Sequence, residues 1–317
     1  MKTAFLFPGQ GAQAVGMGKD LCEAFPAARA IFDRAEELSK LPLKKLCFEG
    51  PEEELARTDI AQPAIFTASA ALLTVLKDLL GGEKFETIRP AYMAGLSLGE
   101  YTALYAAGCL DFQDALRLVT LRGAAMQKAA TAVPSGMVAV MGLDEAKATE
   151  LCHACAEGEV LVPANFNATG QVVVSGSIAA CGRAEARAKE FGASGAMALK
   201  VAGAFHSPLM APAAHELGAA LDSVSFRCAA GGPVVVANVN AQPYGQSPSA
   251  KELLMSQLTG AVRWQQSVEF LMAQGVERFL EIGPGKVLAG LMRRINRRAN
   301  IESVNSREAV EKLAASL

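Results

Sequence analysis

Apolar positions in this chain follow two rhythms. Short, nearly continuous apolar runs recur at residues 3–7, 91–94, 137–142, 160–165, 171–175, 196–201, 234–238 and 278–282, and Gly, Pro, Asn or Ser flanks or ends most of them, so each predicts a strand. Between them, apolar residues spaced three and four apart predict helices over 61–80, 99–107, 111–128, 144–157, 178–191 and 211–221. The stretch 61–80 is apolar on nearly every side and carries few charges, which predicts a helix buried on more than one face. At the start, the run 3–7 stops at Pro8, a turn follows at Gly9-Gln10-Gly11, and a helix continues past Gly18. Strand, glycine turn and helix in alternation predict an α/β protein.

The rhythm changes between residues 135 and 202. There the order is strand 137–142, helix 144–157, strands 160–165 and 171–175, helix 178–191 and strand 196–201. This β-α-β-β-α-β order is the ferredoxin-like signature. It predicts a small insert over 131–202 within a large α/β domain made of 1–130 and 203–317, whose sheet resumes at 234–238 and 278–282.

Composition narrows the possibilities. Of 317 residues, 51% are hydrophobic and 20% charged, which suits a globular chain, and a net charge of −2 gives no general attraction to nucleic acid. An anionic partner must therefore meet a local basic patch. The opening apolar run is too short for a secretory signal, and no stretch reads as long and apolar enough to span a bilayer, so a cytoplasmic location is expected. Met1 directly before the first strand predicts a free-standing protein. Seven cysteines, an odd number running from Cys22 to Cys228, predict reduced thiols rather than a disulfide framework. Cys152, His153 and Cys155 have the spacing of half a zinc site or a redox pair. They lie within a predicted helix with no second ligand pair, and are read as ordinary helix residues.

The candidate chemistry centres on Gly95-Leu96-Ser97-Leu98-Gly99. In a G-x-S-x-G pattern the glycines allow a sharp strand-to-helix corner that holds the serine hydroxyl out of the sheet. The helix that follows would aim amide N–H groups and its positive dipole end at an oxyanion beside Ser97. A serine hydroxyl needs a base to take its proton. Of the three histidines, His153 and His215 fall within predicted helices, whereas His206 follows an apolar run in the loop Gly203-Ala204-Phe205-His206-Ser207-Pro208, where α/β proteins place reactive groups. Asp144 and Glu157 stand between serine and histidine in the chain but have no special context. A dyad is therefore expected, the imidazole held by a main-chain or amide carbonyl.

Several segments together resemble one family, the malonyl-CoA:acyl carrier protein transacylases of bacterial type II fatty acid synthesis. They are Phe7-Pro8-Gly9-Gln10-Gly11, Gly95 to Tyr101, Arg122-Gly123 with Met126-Gln127, Ala164-Asn165-Phe166-Asn167, Gly170-Gln171-Val172-Val173, Ala204-Phe205-His206-Ser207 and Glu281-Ile282-Gly283-Pro284-Gly285-Lys286. The resemblance implies an α/β-hydrolase-like large domain with a parallel sheet and a ferredoxin-like insert. It implies Ser97 as nucleophile, His206 as base, and an oxyanion hole from the backbone N–H groups of Gln10 and Leu98. Gln257 resembles the residue whose carbonyl supports the histidine. The acyl pocket would include Leu96, Arg122, Met126, Asn165 and Phe205. Arg122 would bind the malonyl carboxylate, which acetyl lacks, through two parallel hydrogen bonds. Phe205 before His206 resembles the malonyl-type pattern rather than the methylmalonyl-type one.

One position departs from the family: a histidine commonly precedes the serine, and Leu96 stands there. The expected partners are malonyl-CoA and an acyl carrier protein, with Arg293, Arg294, Arg297 and Arg298 as a docking cluster. No metal or bound cofactor is implied, and neither a nucleic acid nor a membrane partner is expected. Three rival readings remain open: a serine esterase or thioesterase on the same scaffold, a non-catalytic carrier-binding protein, and an acyltransferase of polyketide type.

Overall fold

The structure is a computed structural model that describes residues 1–245 and 247–317. Its strands are β1 (Thr3–Phe7), β2 (Pro90–Gly95), β3 (Ser135–Met141), β4 (Leu161–Ala168), β5 (Gln171–Ser177), β6 (Gly195–Ala198), β7 (Val234–Val236), β8 (Arg278–Ile282) and β9 (Asn300–Val304). Its helices are α1 (Lys19–Ala24), α2 (Pro26–Ser39), α3 (Leu43–Glu49), α4 (Glu52–Leu55), α5 (Thr58–Ile88), α6 (Gly99–Ala106), α7 (Phe112–Ala132), α8 (Glu145–Ala156), α9 (Ile178–Arg187), α10 (Ala211–Leu221), α11 (Ala250–Thr259), α12 (Trp264–Ala273), α13 (Val287–Ile295) and α14 (Arg307–Ala315).

Residues 1–123, 224–236 and 271–317 form one compact unit. Its five-stranded sheet has the order β7-β2-β1-β8-β9, and every pairing in it is parallel. The central strand β1 is buried along its whole length, which is why its sequence reads as an unbroken apolar run rather than an alternating one. The loops after β1, β2 and β8 leave from the carboxyl ends of their strands, the end at which open α/β sheets carry their reactive groups. Helix α5 extends well beyond the predicted 61–80 and kinks at Gly81, whose φ of 61° lies in the left-handed region. It is long and apolar enough to cross a bilayer, contrary to the sequence expectation, yet most of that surface is buried inside the protein. Phe66 of α5 packs against Tyr105 and Phe112. Edge strand β9, with Glu302 and Ser303 among its five residues, lacks the apolar run that marked the other strands.

The expectation of reduced thiols throughout is corrected at one pair. Cys109 and Cys228, 119 positions apart, form a disulfide. The chain entering β7 passes beside the turn that follows α6, where the Arg227 amide donates to the Cys109 carbonyl at 3.0 Å. Spacing alone carries no trace of that meeting.

Residues 124–223 and 237–270 form a second unit. Its four-stranded antiparallel sheet has the order β4-β5-β3-β6, the ferredoxin-like arrangement. Val138 and Val140 of β3 pair with Val174 and Val172 of β5, and their side chains pack with Leu151, Cys152 and Cys155 of α8 and Cys181 of α9. Cys152 and Cys155 are thus core residues, and burial pushes the Cys152 thiol up to about 12. Asp144 caps α8 by accepting from the Lys147 amide at 2.8 Å. Strand β6 is shorter than the predicted 196–201, and the predicted helix 178–191 ends at Arg187 in a 3₁₀ turn, Ala188–Phe191.

Candidate active site

The large unit holds the serine expected to act as nucleophile. Ser97 sits between β2 and α6 with φ of 53°, a left-handed conformation that is costly for a residue with a Cβ and that clusters at functional corners. The flanking glycines are needed for close approach. A Cβ at Gly95 would lie 2.0 Å from the Gly99 carbonyl, and one at Gly99 would lie 2.1 Å from the Phe7 oxygen of β1. Gly9 has the same constraint, with a Cβ position 2.2 Å from the Leu96 oxygen. The turn after β1 is therefore pressed against the corner, which brings Gln10 beside it. Leu98 is the buried N-cap of α6, where the first amides of a helix have no acceptor within it.

Arg122 of α7 reaches the same place. Its Nη2 donates to Ser97 Oγ at 3.0 Å and its Nη1 to Gln62 Oε1 of α5 at 2.6 Å. The guanidinium lies over the Tyr101 ring, 5.4 Å from the centroid. Arg122 is only 1% exposed. Burial pushes its pKa down, and the neighbouring Tyr101 and Glu100 oppose that shift. Tyr101 itself is pushed up by burial, against the pull of the Arg122 cation. Gln62 and Thr58 escaped the sequence reading, although a lone glutamine inside the apolar run 61–80 was a signal. Thr58 Oγ1 accepts from Gln10 Nε2 at 3.3 Å, so the first turns of α5 hold the side chains of both Gln10 and Arg122.

The second unit holds the histidine expected to act as base. His206 is buried, and its φ of 56° is again left-handed. Nδ1 lies 2.6 Å from the backbone oxygen of Gln257. A carbonyl can only accept, so Nδ1 carries the proton and Nε2 is the basic nitrogen of the neutral ring. Gln257 lies in the last turn of α11, where carbonyls have no donor within the helix, and this negative end also favours an imidazolium. The opposite end of α11 is fixed by a capping box between Ser249 and Glu252. The Gln257 side chain donates to Asn238 Oδ1 at 3.5 Å.

Hydroxyls hold the histidine loop. Ser175 of β5 donates to the Phe205 carbonyl at 2.7 Å, the Ala204 amide donates to Ser135 Oγ at 3.1 Å, and Ser207 Oγ donates to the Ala204 carbonyl at 2.7 Å. Phe205, Met126 and Asn165 are buried in the same unit. Asn165 belongs to β4, at the bridge to Val262. His153 is an exposed residue of α8 and His215 an exposed residue of α10.

The basic cluster lies in the large unit. Arg293 and Arg294 occupy the last turn of α13, while Arg297 and Arg298 lie beyond its end, and all four are exposed. A cavity of about 210 Å³ beside them is lined by Lys286, Ala289, Gly290, Arg293, Ile301 and Ser303. Among the described residues no cluster of His, Cys, Asp and Glu could hold a metal ion.

The family described as acyl transferase domain matches residues 4–312. Over 311 residues the chain is 44% identical to the malonyl CoA-acyl carrier protein transacylase of Bacillus subtilis strain 168, spanning 98% of this chain and 95% of that protein. The solved structure of the malonyl CoA-acyl carrier protein transacylase from Coxiella burnetii superposes with a TM-score of 0.93 at 36% identity, covering 100% of this chain and 98% of that one. A type II PKS acyl-carrier protein in complex with its malonyl-transacylase provides another match, with a TM-score of 0.92, 39% identity and 100% of both chains covered.

Proposed function

We propose that this chain, which belongs to the acyl transferase family, moves a malonyl group from malonyl-CoA to the phosphopantetheine thiol of an acyl carrier protein and so supplies fatty acid synthesis. The observation that carries the reading is the buried Arg122 guanidinium bonded to the Ser97 hydroxyl, a fixed cation within one acyl length of the nucleophile.

In the first half-reaction His206 Nε2 takes the Ser97 proton and Oγ attacks the thioester carbonyl. The backbone N–H groups of Gln10 and Leu98 hold the tetrahedral oxyanion. The intermediate collapses to a malonyl-Ser97 ester, and His206 returns the proton to the departing CoA thiolate. In the second half the carrier's thiol gives its proton to His206 and attacks the ester, the reverse sequence frees Ser97, and malonyl leaves on the carrier. Gln257 orients the imidazole through its backbone oxygen and stabilises the cation formed in each half. Throughout, Arg122 binds the free carboxylate. Leu96, Met126, Asn165 and Phe205 line the acyl pocket, and Leu96 makes it less polar than a histidine would. The steps draw only on side chains, backbone amides and the two thiol partners, so the proposal includes neither metal nor bound cofactor.

The domain division proposed is a catalytic domain of 1–130 and 203–317 interrupted by the insert 131–202. Carrier docking is assigned to Arg293, Arg294, Arg297 and Arg298, joined by Lys286 at the adjoining cavity, since an acidic carrier would be steered to such a cluster. The location proposed is cytoplasmic.

Intact mass measurement after brief exposure to malonyl-CoA tests the reading. A malonyl adduct that forms on the parent protein, is lost in Ser97→Ala and is discharged by a holo carrier supports it. Rapid release of free malonate without an adduct would identify a thioesterase instead.

A further inference from the structure

The turn Gly283-Pro284-Gly285-Lys286, between β8 and α13, stands against the turn that presents Gln10. A Cβ at Gly283 would lie 2.5 Å from both Cγ and Cδ of Pro8 and 2.6 Å from Ser69 Oγ of α5, and one at Gly285 would lie 3.2 Å from the Ala12 carbonyl oxygen. Pro8 leads into the Gln10 turn and Ala12 closes it, so the two turns meet before and after Gln10. We propose that Gly283 and Gly285 are the positioning residues of the oxyanion hole: they let the β8 turn seat against Pro8 and Ala12 and so set where the Gln10 amide stands. The assignment rests on the malonyl-transfer reading above, with Gln10 as an oxyanion donor.

Both turns are held in place. Gly9-Gln10-Gly11-Ala12 is closed by the Ala12 amide, which donates to the Gly9 carbonyl at 3.3 Å, and Gly11 has the positive φ, 98°, that the third residue of a type II turn needs. That closing bond does not draw on the Gln10 amide. The same turn is pressed against the serine corner, where a Cβ at Gly9 would meet the Leu96 oxygen. The β8 turn is anchored to its neighbouring strand: the Gly283 amide donates to the Val304 carbonyl at 3.3 Å, and Asn305 Nδ2 donates to the Gly285 carbonyl at 2.8 Å. Glu281 ties it to α13 by accepting from the Leu288 and Ala289 amides at 2.8 and 3.1 Å. With the Gln10 turn packed against both the serine corner and this anchored loop, a push on Pro8 moves the Gln10 amide relative to Ser97.

Distance decides the size of the effect. An oxyanion donor acts about 2.7–3.1 Å from where the charge develops. An alanine Cβ at position 283 would lie about 1 Å inside ordinary carbon–carbon contact with the Pro8 ring. The φ of 149° there is also one that glycine alone adopts readily. Displacement of about 1 Å costs on the order of 10²-fold in rate. The charge develops on the carbonyl oxygen of every thioester, so this loss falls on all acyl donors alike, whereas a loss at Arg122 singles out the carboxylate-bearing one.

Single-turnover ester formation, followed by quenched flow over a range of malonyl-CoA and of acetyl-CoA, separates the rate at saturation from the half-saturating concentration. In Gly283→Ala the saturating rate is expected to fall roughly 10²-fold with both thioesters, while the half-saturating concentrations stay near those of the parent. Pro8→Ala removes Cγ and Cδ, so in Pro8→Ala/Gly283→Ala the fall relative to Pro8→Ala alone should shrink to roughly tenfold. An unchanged saturating rate, a fall carried by the half-saturating concentration, or the same fall on both backgrounds would overturn the assignment and leave the transferase reading intact, since backbone strain by itself does not depend on the Pro8 ring. A parent that forms no ester with either thioester would remove both. Should Gly283→Ala fail to fold, Gly285→Asn decides: asparagine tolerates the φ of 76° there, and its Cβ displaces the Ala12 carbonyl by only a few tenths of an ångström. The expected fall is then roughly 2- to 10-fold in the saturating rate alone, and a rate equal to the parent's would overturn the assignment.

Discussion

Replacing Arg122 by Met gives the sharpest test of how this site selects its substrate. Met nearly keeps the side-chain volume, so the change removes charge and donors without opening a large cavity. On the proposed role, two hydrogen bonds to the malonyl carboxylate are lost, each about 1.5–3 kcal/mol for a charged partner, or about 3–6 kcal/mol together. That corresponds to roughly 10²- to 10⁴-fold in malonyl transfer. The 3.0 Å bond from Nη2 to Ser97 Oγ is also lost, at about 0.5–1.5 kcal/mol, and that loss falls on every acyl donor alike. Acetyl transfer should therefore fall by no more than about tenfold, and the malonyl-to-acetyl ratio isolates the carboxylate. Folding changes modestly: Gln62 Oε1 is deprived of this donor, at about 1–3 kcal/mol, but a buried charge disappears as well. Quenched-flow measurement of acyl-enzyme formation with each thioester gives the ratio directly. A parallel fall with both substrates would refute the carboxylate role.

Two further outcomes are expected. Charge reversal at Arg293 and Arg297 together should raise the KM for the holo carrier several-fold while the KM for malonyl-CoA stays unchanged; equal effects on both would count against docking there. Glu281 is buried, accepts from the Leu288 amide at 2.8 Å, the Ala289 amide at 3.1 Å and the Ser303 hydroxyl at 2.8 Å, and has its pKa raised above 4.5 by burial. An acid with a raised folded value contributes stability that is complete below 4.5 and is lost as pH climbs through the folded value, because the native state keeps a proton the unfolded chain has released. The stability difference between the parent and Glu281→Gln, read from urea midpoints at a series of pH values, should shift against the parent as pH rises through that window; a constant difference would contradict it.

The strands that carry the site were legible because burial on both faces leaves an unmistakable apolar run, as in β1, and because glycines at 95 and 99 mark a corner where backbone meets backbone. The β-α-β-β-α-β order of the second unit was legible for the same reason, its core faces being lined by valines. Other features left weaker marks. Strand β9 has Glu302 and Ser303 among its five residues, which broke the apolar signal. The Cys109–Cys228 pairing depends on how distant segments meet, which no spacing encodes. Gln62 lay hidden within a helix whose apolar character suggested packing alone, since the donor it accepts from stands sixty positions away. The left-handed backbone at His206 was equally silent, because nothing in a loop sequence of Ala, Phe, His and Ser announces it.

The atom that steadies His206 is a peptide oxygen, and this has a consequence for how the enzyme can vary. Exchange of the side chain at position 257 leaves that oxygen in place, so the support is a property of where a helix stops rather than of which residue stands there. A substitution there would cost the buried side chain its bond to Asn238 but not this support, whereas a deletion that moved the end of α11 by one residue would withdraw the oxygen from the imidazole and leave the proposed reactive groups in the sequence untouched.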